Sequence, residues 1–310
     1  MEFFHSVPRI PFMAQRRFCY VLSTILILGS IAAIGIRGLN LAVDFTGGVV
    51  TEAQFPAAAN LERTRTALAE AGYPDAQVQI FGSSRNVLVR LPPEKSGTAT
   101  EISSKISKIL STVDPAVQIQ RTEVVGATVG KELLTKGIEA MGITLLLILG
   151  YIALRFRWKF GVGAVLATLH DPFLTIGLFA LLRLPFDLSV LAAVLAVIGY
   201  SINETVVVFD RVRERFQSLR KAEPIEIFDI AINETLSRTV ITKLATLIVV
   251  VALYLLGGEA LSGFGLALII GILVVTYSSM YVASGVALDL GANRRDLMPA
   301  ERRGPADDMP

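Results

Sequence analysis

The chain has 310 residues, of which 53% are hydrophobic and only 18% are charged, and its mean hydropathy is +0.59. This composition excludes a single water-soluble globule and indicates a membrane protein. The 29 basic and 27 acidic residues leave a formal net charge of +2, which is too small to suggest nucleic-acid binding. With one cysteine, Cys19, the chain cannot form an intramolecular disulfide or a metal site built from cysteines.

Six apolar runs predict membrane-spanning helices, because a hydrocarbon core of about 30 Å requires roughly 20 apolar residues in a helix. The predicted spans cover residues 18–36, 137–154, 160–182, 188–209, 239–256 and 262–288. Five regions follow from these spans. They are an N-terminal segment (1–17), the first span (18–36), a polar insert (37–136), a bundle of the other five spans (137–290) and a tail (291–310).

Lysine and arginine residues predict the orientation of the spans. They cluster before the first run, after the second, after the fourth and in the tail. These residues are Arg9, Arg16, Arg17, Arg155, Arg157, Lys159, Arg211, Arg213, Arg215, Arg220, Lys221, Arg294, Arg295, Arg302 and Arg303. The opposite short connections carry only Arg183. Since short cytoplasmic loops are enriched in basic residues, both termini are predicted to be cytoplasmic and the insert to lie on the other side.

A cleaved signal peptide over residues 16–36 is an alternative, because basic residues precede the run and small residues follow it. The run is longer than a usual signal core, however. Cleavage would also leave an odd number of spans, which would spoil the charge pattern. We therefore favour a retained first helix.

The insert has the pattern of a small α+β domain. Strands are predicted at 49–55, 78–80, 87–89 and 117–120, with a turn at 82–86. Helices are predicted from an Asn60 cap to Ala71 and over 100–112. This βαββαβ order is that of the split-βαβ, ferredoxin-like fold. Because the insert lacks histidine and cysteine, we expect it to act in binding rather than in catalysis.

Residues 126–131, Gly-Ala-Thr-Val-Gly-Lys, superficially resemble a phosphate-binding loop. A P-loop needs one more residue between the glycines and a Ser or Thr after the lysine, where this chain has Glu132. The segment is therefore interpreted as a flexible joint, which together with residues 44–48 would let the insert move. We expect no nucleotide site, no cofactor, no metal and no enzymatic activity.

Ionisable groups at membrane depth cost about 2.5–3.5 kcal/mol each on insertion scales, so each needs a partner, a hydrated cavity or a function. Glu204 lies in the fourth span. A buried carboxylate favours its neutral form and can therefore exchange protons near neutral pH, although a purely structural ion pair is the alternative. Arg238, which cannot deprotonate, is predicted to regulate that exchange. Thr242 and Thr246 follow it at four-residue steps and could line a hydrated path.

Other polar residues of the spans form a second tier of candidates. His170 and Asp171 precede Pro172, so they either stabilise a kinked helix or act as a relay. Asp210 is expected to anchor the fourth span at the interface, and Lys243 to extend toward the cytoplasm. The possible relay or polar path comprises His170, Asp171, Asn203, Asp210, Thr239 and Thr242.

Three motifs, in the same order, resemble those of the SecF family, membrane subunits of bacterial protein export within the RND superfamily. Residues 41–48 resemble the family's D-F-x-G-G signature, through Asp44, Phe45, Gly47 and Gly48. Residues 197–214 resemble its fourth-helix motif, and residues 236–239 its fifth-helix motif. The family usually has Asp where this chain has Glu204, which keeps the titratable group one methylene further out.

The resemblance implies a function. Such a subunit pairs with SecD in the bacterial inner membrane and uses protons as the coupling ion to pull an unfolded polypeptide outward. It acts after the SecY/SecE/SecG channel and the SecA ATPase have begun translocation. The family's relay carboxylate corresponds to Glu204 and its important arginine to Arg238. Two alternatives are a passive subunit that only docks SecD and a small-molecule exporter of RND type, for which the insert is small.

Overall fold

The computed structural model describes residues 8–81, 83–92, 99–219 and 221–293. These residues form two compact units. One takes in the described residues up to Gly38, Gly142–Leu184 and the described residues from Ala192 onward, and the other takes in Leu39–Met141 with Pro185–Leu191. Several sequence predictions fall outside the described residues. They concern residues 1–7 and 294–310 of the predicted termini, Gly82 of the predicted turn, and the basic residues Arg220, Arg294, Arg295, Arg302 and Arg303.

The helices, in chain order, are α1 (Arg16–Arg37), α2 (Val43–Thr46), α3 (Leu61–Glu70), α4 (Ala99–Val113), α5 (Ala127–Arg155), α6 (Trp158–Leu182), α7 (Leu188–Ser218), α8 (Pro224–Leu256), α9 (Glu259–Ser278) and α10 (Ser284–Asp289). The strands are β1 (Asn40–Leu41), β2 (Gly48–Gln54), β3 (Gln77–Phe81), β4 (Ser83–Leu91), β5 (Gln118–Val125) and β6 (Pro185–Phe186). A 3₁₀ turn, Phe12–Gln15, precedes α1, and a π-helical segment, Ser279–Ala283, joins α9 to α10.

Six helical stretches of the described residues are long and apolar enough to cross a membrane. They are Phe12–Arg37, Ala127–Arg155, Trp158–Leu182, Leu188–Ser218, Pro224–Leu256 and Leu261–Asp289. Each contains one of the predicted spans. Three helices extend well past the apolar runs: α5 begins at Ala127, α7 continues to Ser218 and α8 begins at Pro224. Hydropathy detects only the part of a helix suited to hydrocarbon, whereas the helix continues as long as its backbone bonds and packing favour it.

Aromatic side chains in the helical unit pack α6, α7 and α8 together. The ring centroids of Phe160 and Phe209 lie 5.0 Å apart in an edge-to-face arrangement, and those of Phe160 and Phe228 lie 6.2 Å apart and stack. All three rings are almost completely buried. Edge-to-face and offset stacking are the favoured aromatic geometries. This cluster therefore fixes the two helices, α7 and α8, that carry the polar residues considered below.

The π-helical segment of the sixth span is held by local contacts. The Ser284 hydroxyl donates a hydrogen bond to the carbonyl of Ser279 across 2.9 Å. A Cβ on Gly163 of α6 would lie 2.4 Å from the carbonyl oxygen of Ala283, so only glycine allows this close approach. At the far end, Asp289 accepts hydrogen bonds from Arg16 at 2.9 Å and from Tyr20 at 3.0 Å.

The second unit contains a four-stranded antiparallel sheet with the strand order β3-β4-β2-β5. Along the chain its elements run β2, α3, β3, β4, α4 and β5. Both helices contribute to a core with the sheet, in which Leu68 of α3 and Ile106 of α4 pack with Val49, Val87 and Val89. The apolar side chains that alternate along the strands are thereby removed from water, which is the main favourable term for such a unit.

Two strands are longer than the sequence predicted. Residues 83–86, placed in a turn, belong to β4, and β5 continues from Gln118 to Val125. Asn86 pairs with Gln54, and Val124 pairs with Val49. Pairing with β2 thus overrides the turn preference of Ser and Asn, because strand propensity depends strongly on the neighbouring strands.

Asn60 caps α3, and its replacement should destabilise the first turn of that helix. Its side-chain oxygen accepts a hydrogen bond from the backbone N–H of Arg63 at 3.1 Å. Asn60→Ala removes this bond at a cost of about 1 kcal/mol, so amide exchange in the first turn should accelerate roughly fivefold. Asn60→Asp, which keeps an acceptor, is the control. Equal exchange in both variants would show that the cap contributes nothing.

Candidate functional site

Glu204 is the single charged residue of stretch 188–209 and is 6% exposed. Two side chains of the neighbouring helix α8 contact its carboxylate. Thr239 donates a hydrogen bond from its hydroxyl to Oε1 at 2.6 Å, and Nζ of Lys243 lies 3.2 Å from Oε2. The contact from Thr239 is a hydrogen bond to a charged acceptor, and the ammonium of Lys243 forms an ion pair with the carboxylate. The sequence prediction of a buried carboxylate at this position agrees with this geometry.

Lys243 is buried in an ion pair, an interaction that the sequence analysis did not predict for it. The residue is 9% exposed, and its ammonium pairs with Glu204 and lies 5.4 Å from the ring centroid of Tyr200. An opposite charge and an aromatic face within reach both stabilise a buried ammonium. The sequence does contain a signal for this pair: Lys243 is the single charged residue of stretch 239–256, and Glu204 that of stretch 188–209.

Arg238 and Thr242 lie on a different face of α8 from the residues that contact Glu204. Both are exposed in the chain, as is Asn203 of α7. The Thr242 hydroxyl donates to the carbonyl oxygen of Arg238 at 2.9 Å. Among the described residues, no ion pair joins Arg238 to Glu204. The regulatory role of Arg238 therefore stays a prediction, and the inner face of α8 is formed by Thr239 and Lys243, one turn apart.

His170 and Asp171 form a second buried polar cluster, between α6 and α9. Nδ1 of His170 lies 2.9 Å from Oδ1 of Asp171, and Ser278 donates to Oδ2 of Asp171 at 2.8 Å. The other ring nitrogen of His170 has no hydrogen-bond partner among the described atoms. The ring of Tyr277 lies 6.1 Å from that of His170, centroid to centroid. No described hydrogen bond or ion pair links this cluster to Glu204, so the predicted polar residues fall into two groups.

Asp210 belongs to a network of ion pairs near the end of α7. Nη2 of Arg155 lies 2.6 and 2.8 Å from its two carboxylate oxygens, and its side chain is 43% exposed. Glu234 of α8 accepts hydrogen bonds from Arg211 at 2.8 Å and from Arg215 at 2.7 Å. These pairs link α5 to α7 and α7 to α8. The geometry suits the anchoring role predicted for Asp210 rather than a place beside Glu204.

The Asp44-Phe45-Thr46-Gly47-Gly48 motif makes close contacts within the second unit. Asp44 accepts a hydrogen bond from the backbone N–H of Leu188 at 3.0 Å and so satisfies the first turn of α7. Gly47 has φ +69°, and a Cβ there would lie 2.6 Å from the Cα of Ala127. A Cβ on Gly130 would in turn lie 2.6 Å from the nitrogen of Gly47.

The segment predicted as a flexible joint at 126–130 has a different local structure. Residues from Ala127 onward form the first turns of α5, and Gly130 meets Gly47 backbone to backbone. Glycine here permits the close approach of two chain segments. Movement of the insert about this segment and residues 44–48 stays a prediction.

A small cavity of about 290 Å³ lies beside this motif and is lined by Asn40, Thr46, Gly47, Asp75 and Arg90, among others. Burial lowers the pKa of the Arg90 guanidinium, and the charges of Asp187 and Asp44 oppose that effect. Nε of Arg90 has no hydrogen-bond partner among the described atoms. Because an arginine stays charged at neutral pH even so, it supplies a fixed positive charge to this cavity.

Known proteins match this chain over regions that include these motifs. The family model described as "Protein export membrane protein SecD/SecF, C-terminal" matches residues 105–293, and the "SecD/SecF GG Motif" model matches residues 32–55, which include Gly47 and Gly48. "Protein translocase subunit SecF" of Vibrio alginolyticus is 45% identical over 97% of this chain and 97% of its own length. The chain belongs to the SecF family. The SecF subunit of Escherichia coli O157:H7 is 38% identical over 96% of this chain and 93% of its own length.

A solved structure extends the SecF relationship to the fold. The crystal structure of SecDF, "a translocon-associated membrane protein" from Thermus thermophilus, superposes with a TM-score of 0.82 at 36% identity and covers 91% of this chain. This SecF family member spans only 39% of that longer chain. Together with the six apolar helices, these relationships make the protein a multi-pass membrane protein and a subunit of Sec protein export.

Proposed function

We propose that this chain, together with SecD, uses the proton gradient to drive late steps of polypeptide translocation across the bacterial inner membrane. The observation that carries the proposal is the buried Glu204 carboxylate, which lies in an apolar helix and is held by side chains of the next helix. A carboxylate that gains or loses a proton there changes the charge of the helix interface. Protons are the coupling ion, and no nucleotide, metal or other cofactor is required.

Two hydroxyls beside Glu204 support access of a proton to it. Ser201 and Thr205 lie one turn before and one residue after Glu204, and both are fully buried. Neither hydroxyl oxygen has a hydrogen-bond partner among the described atoms. Since a buried hydroxyl is unfavourable without a partner, both can bind a water molecule that delivers a proton to the carboxylate.

The free energy that a membrane potential supplies per proton is similar in size to the free energy of a buried ion pair. Moving one elementary charge through a potential of 100 mV supplies about 2.3 kcal/mol. Removing the partner of a buried charge changes stability by about 3–5 kcal/mol, so protonation of a paired carboxylate alters helix packing on the same scale. A few protons would suffice to drive a rigid-body change of the outer domain. We take this outer domain to be the ferredoxin-like second unit. It would lie on the side of the membrane opposite the two cytoplasmic termini.

SecD is the proposed partner because polar side chains are exposed along α7 and α8. Arg238, Thr242 and Asn203 lie in or beside the apolar stretches, where lipid contact is unfavourable for them. A second membrane subunit would cover them and supply an acid for Arg238. The Thermus SecDF chain, of which this chain spans 39%, is long enough to contain such a second half. The SecY/SecE/SecG channel and SecA would act on the same polypeptide earlier.

A passive docking subunit is the second candidate function. It is favoured by the complete pairing of the Glu204 carboxylate, which also suits a purely structural ion pair. In that case the proton-driven step would take place wholly in SecD. The polar residues of this chain would then only hold the complex together.

A gradient-driven export assay tests the proposal. Vesicles would contain this chain, SecD, the SecY/SecE/SecG channel and SecA, and an exported protein would be arrested half-way before ATP hydrolysis is stopped. Imposing a proton gradient should then complete export, and a proton-conducting uncoupler should prevent it. Vesicles without this chain are the control. Completion at the same rate with and without a gradient would contradict the proposal.

A further inference from the structure

Two opposite charges, each alone in its apolar stretch, meet at the contact between α7 and α8. Stretch 188–209 contains the carboxylate of Glu204, and stretch 239–256 contains the ammonium of Lys243. Nζ and Oε2 lie 3.2 Å apart, and both residues are buried. Either charge alone in hydrocarbon would be unfavourable, whereas together they neutralise each other.

The surroundings of Lys243 direct its ammonium toward Glu204. Lys243 lies one turn after Thr239, so the two side chains point to the same side of α8 and reach the two oxygens of one carboxylate. The ring of Tyr200, one turn before Glu204 on α7, lies 5.4 Å from the ammonium. The ammonium therefore has a carboxylate and an aromatic face, both provided by α7.

Other ionisable groups of the neighbouring helices are engaged elsewhere or point away. Arg238 of α8 is exposed, and Asp210 of α7 pairs with Arg155 of α5. On α6, His170 and Asp171 contact each other, and Tyr277 of α9 donates to the carbonyl of Cys19 at 2.7 Å. Within the described residues, Lys243 is thus the counter-charge at Glu204.

We propose that Lys243 holds the ionised form of Glu204 and that the pair acts as a clasp between α7 and α8, which proton uptake releases. When a proton binds the Glu204 carboxylate, the group becomes a neutral acid while the ammonium keeps its charge. The attraction between the two helices at this point is then lost, and the ammonium must find water or another acceptor. The consequence for export rests on the proposed function, whereas the clasp itself does not.

Lys243→Met tests the clasp, because methionine keeps an unbranched side chain but carries no charge. In the purified full chain with its copurifying subunit, this variant leaves the buried Glu204 carboxyl without its counter-charge. The unfolding midpoint should fall by about 5 °C or more. Adding Glu204→Gln to Lys243→Met removes the unpaired charge and should restore most of the loss. Lys243→Arg should stay close to the unsubstituted protein, and Lys108→Met, at an exposed position of α4, is the control.

Glu204→Gln alone provides a second readout that a mere packing role would not give. The glutamine stands in for the protonated, neutral acid. Adding Lys243→Met to it should therefore lower the unfolding midpoint much less than Lys243→Met does in the unsubstituted protein. If Lys243→Met does not accumulate in membranes, the amount of protein in membranes replaces the unfolding midpoint as the measure. The double variant should then accumulate although the single variant does not.

A Lys243→Met protein as stable as the unsubstituted one, or a double variant no better than the single variant, would overturn the clasp. These measurements do not involve export. A failure of gradient-driven export with an intact clasp would therefore overturn the proposed function alone.

Discussion

Glu204→Gln should reduce gradient-driven export at least about 100-fold while the complex with SecD still assembles. Glutamine keeps the shape of glutamate and can still accept the hydrogen bond that Thr239 donates at 2.6 Å, but it cannot ionise. A loss of this size is typical for removal of a positioned group that transfers a proton. The measurement is the rate at which an arrested protein is completed after a proton gradient is imposed.

Two further substitutions separate the chemistry of Glu204 from its packing. Glu204→Asp keeps the titratable group but withdraws it by one methylene from Thr239 and Lys243, so a substantial part of export should remain. Glu214→Gln, at an exposed position of the same helix, should export normally. If Glu204→Gln assembles and still exports in proportion to the gradient, Glu204 is structural, and His170 with Asp171 becomes the next candidate relay.

Gly47→Ala should destabilise the second unit by roughly 3 kcal/mol or more, through two effects that add. Its φ of +69° lies in the left-handed region, where a residue other than glycine costs about 1–3 kcal/mol. The new Cβ would also lie 2.6 Å from the Cα of Ala127, and the backbone cannot move aside as a flexible side chain can. The measurement is the unfolding midpoint of the purified chain together with its yield from membranes.

Gly38→Ala is a matched control for that experiment. Gly38 has nearly the same φ, +67°, but a Cβ there would meet no atom within 4 Å. It should therefore show the cost of the backbone conformation alone. Equal losses for the two variants would contradict the view that the contact with Ala127 requires glycine at position 47.

The sequence alone was sufficient for features that depend on composition and short-range pattern. Hydropathy located the six candidate spans of the described residues, and alternation with a cap at Asn60 located the strands and helices of the second unit. It was less informative about where helices end, since α8 begins at Pro224 rather than near residue 239. Helix ends outside hydrocarbon are decided by packing and caps, which an average over apolar residues does not record.

The candidate site was predicted only in part, for a geometric reason. The sequence identified Glu204 as a buried carboxylate and Thr239 as a candidate polar residue, but it did not identify Lys243 as the residue that pairs with Glu204. Neighbouring residues of a helix point about 100° apart, so the identity of the partner depends on the rotation of α8 about its axis. Packing against α7 and α9 sets that rotation, and a sequence pattern does not.

The π-helical segment Ser279–Ala283 sets the rotational phase of the last part of the sixth span. A π turn takes up one residue more than an α turn, so converting the segment to α geometry would swing α10 by about 100° around the helix axis. Asp289 would then leave Arg16 and Tyr20, and the Ala283 carbonyl would turn away from Gly163. The widened turn is therefore what keeps the first and sixth spans in register with each other.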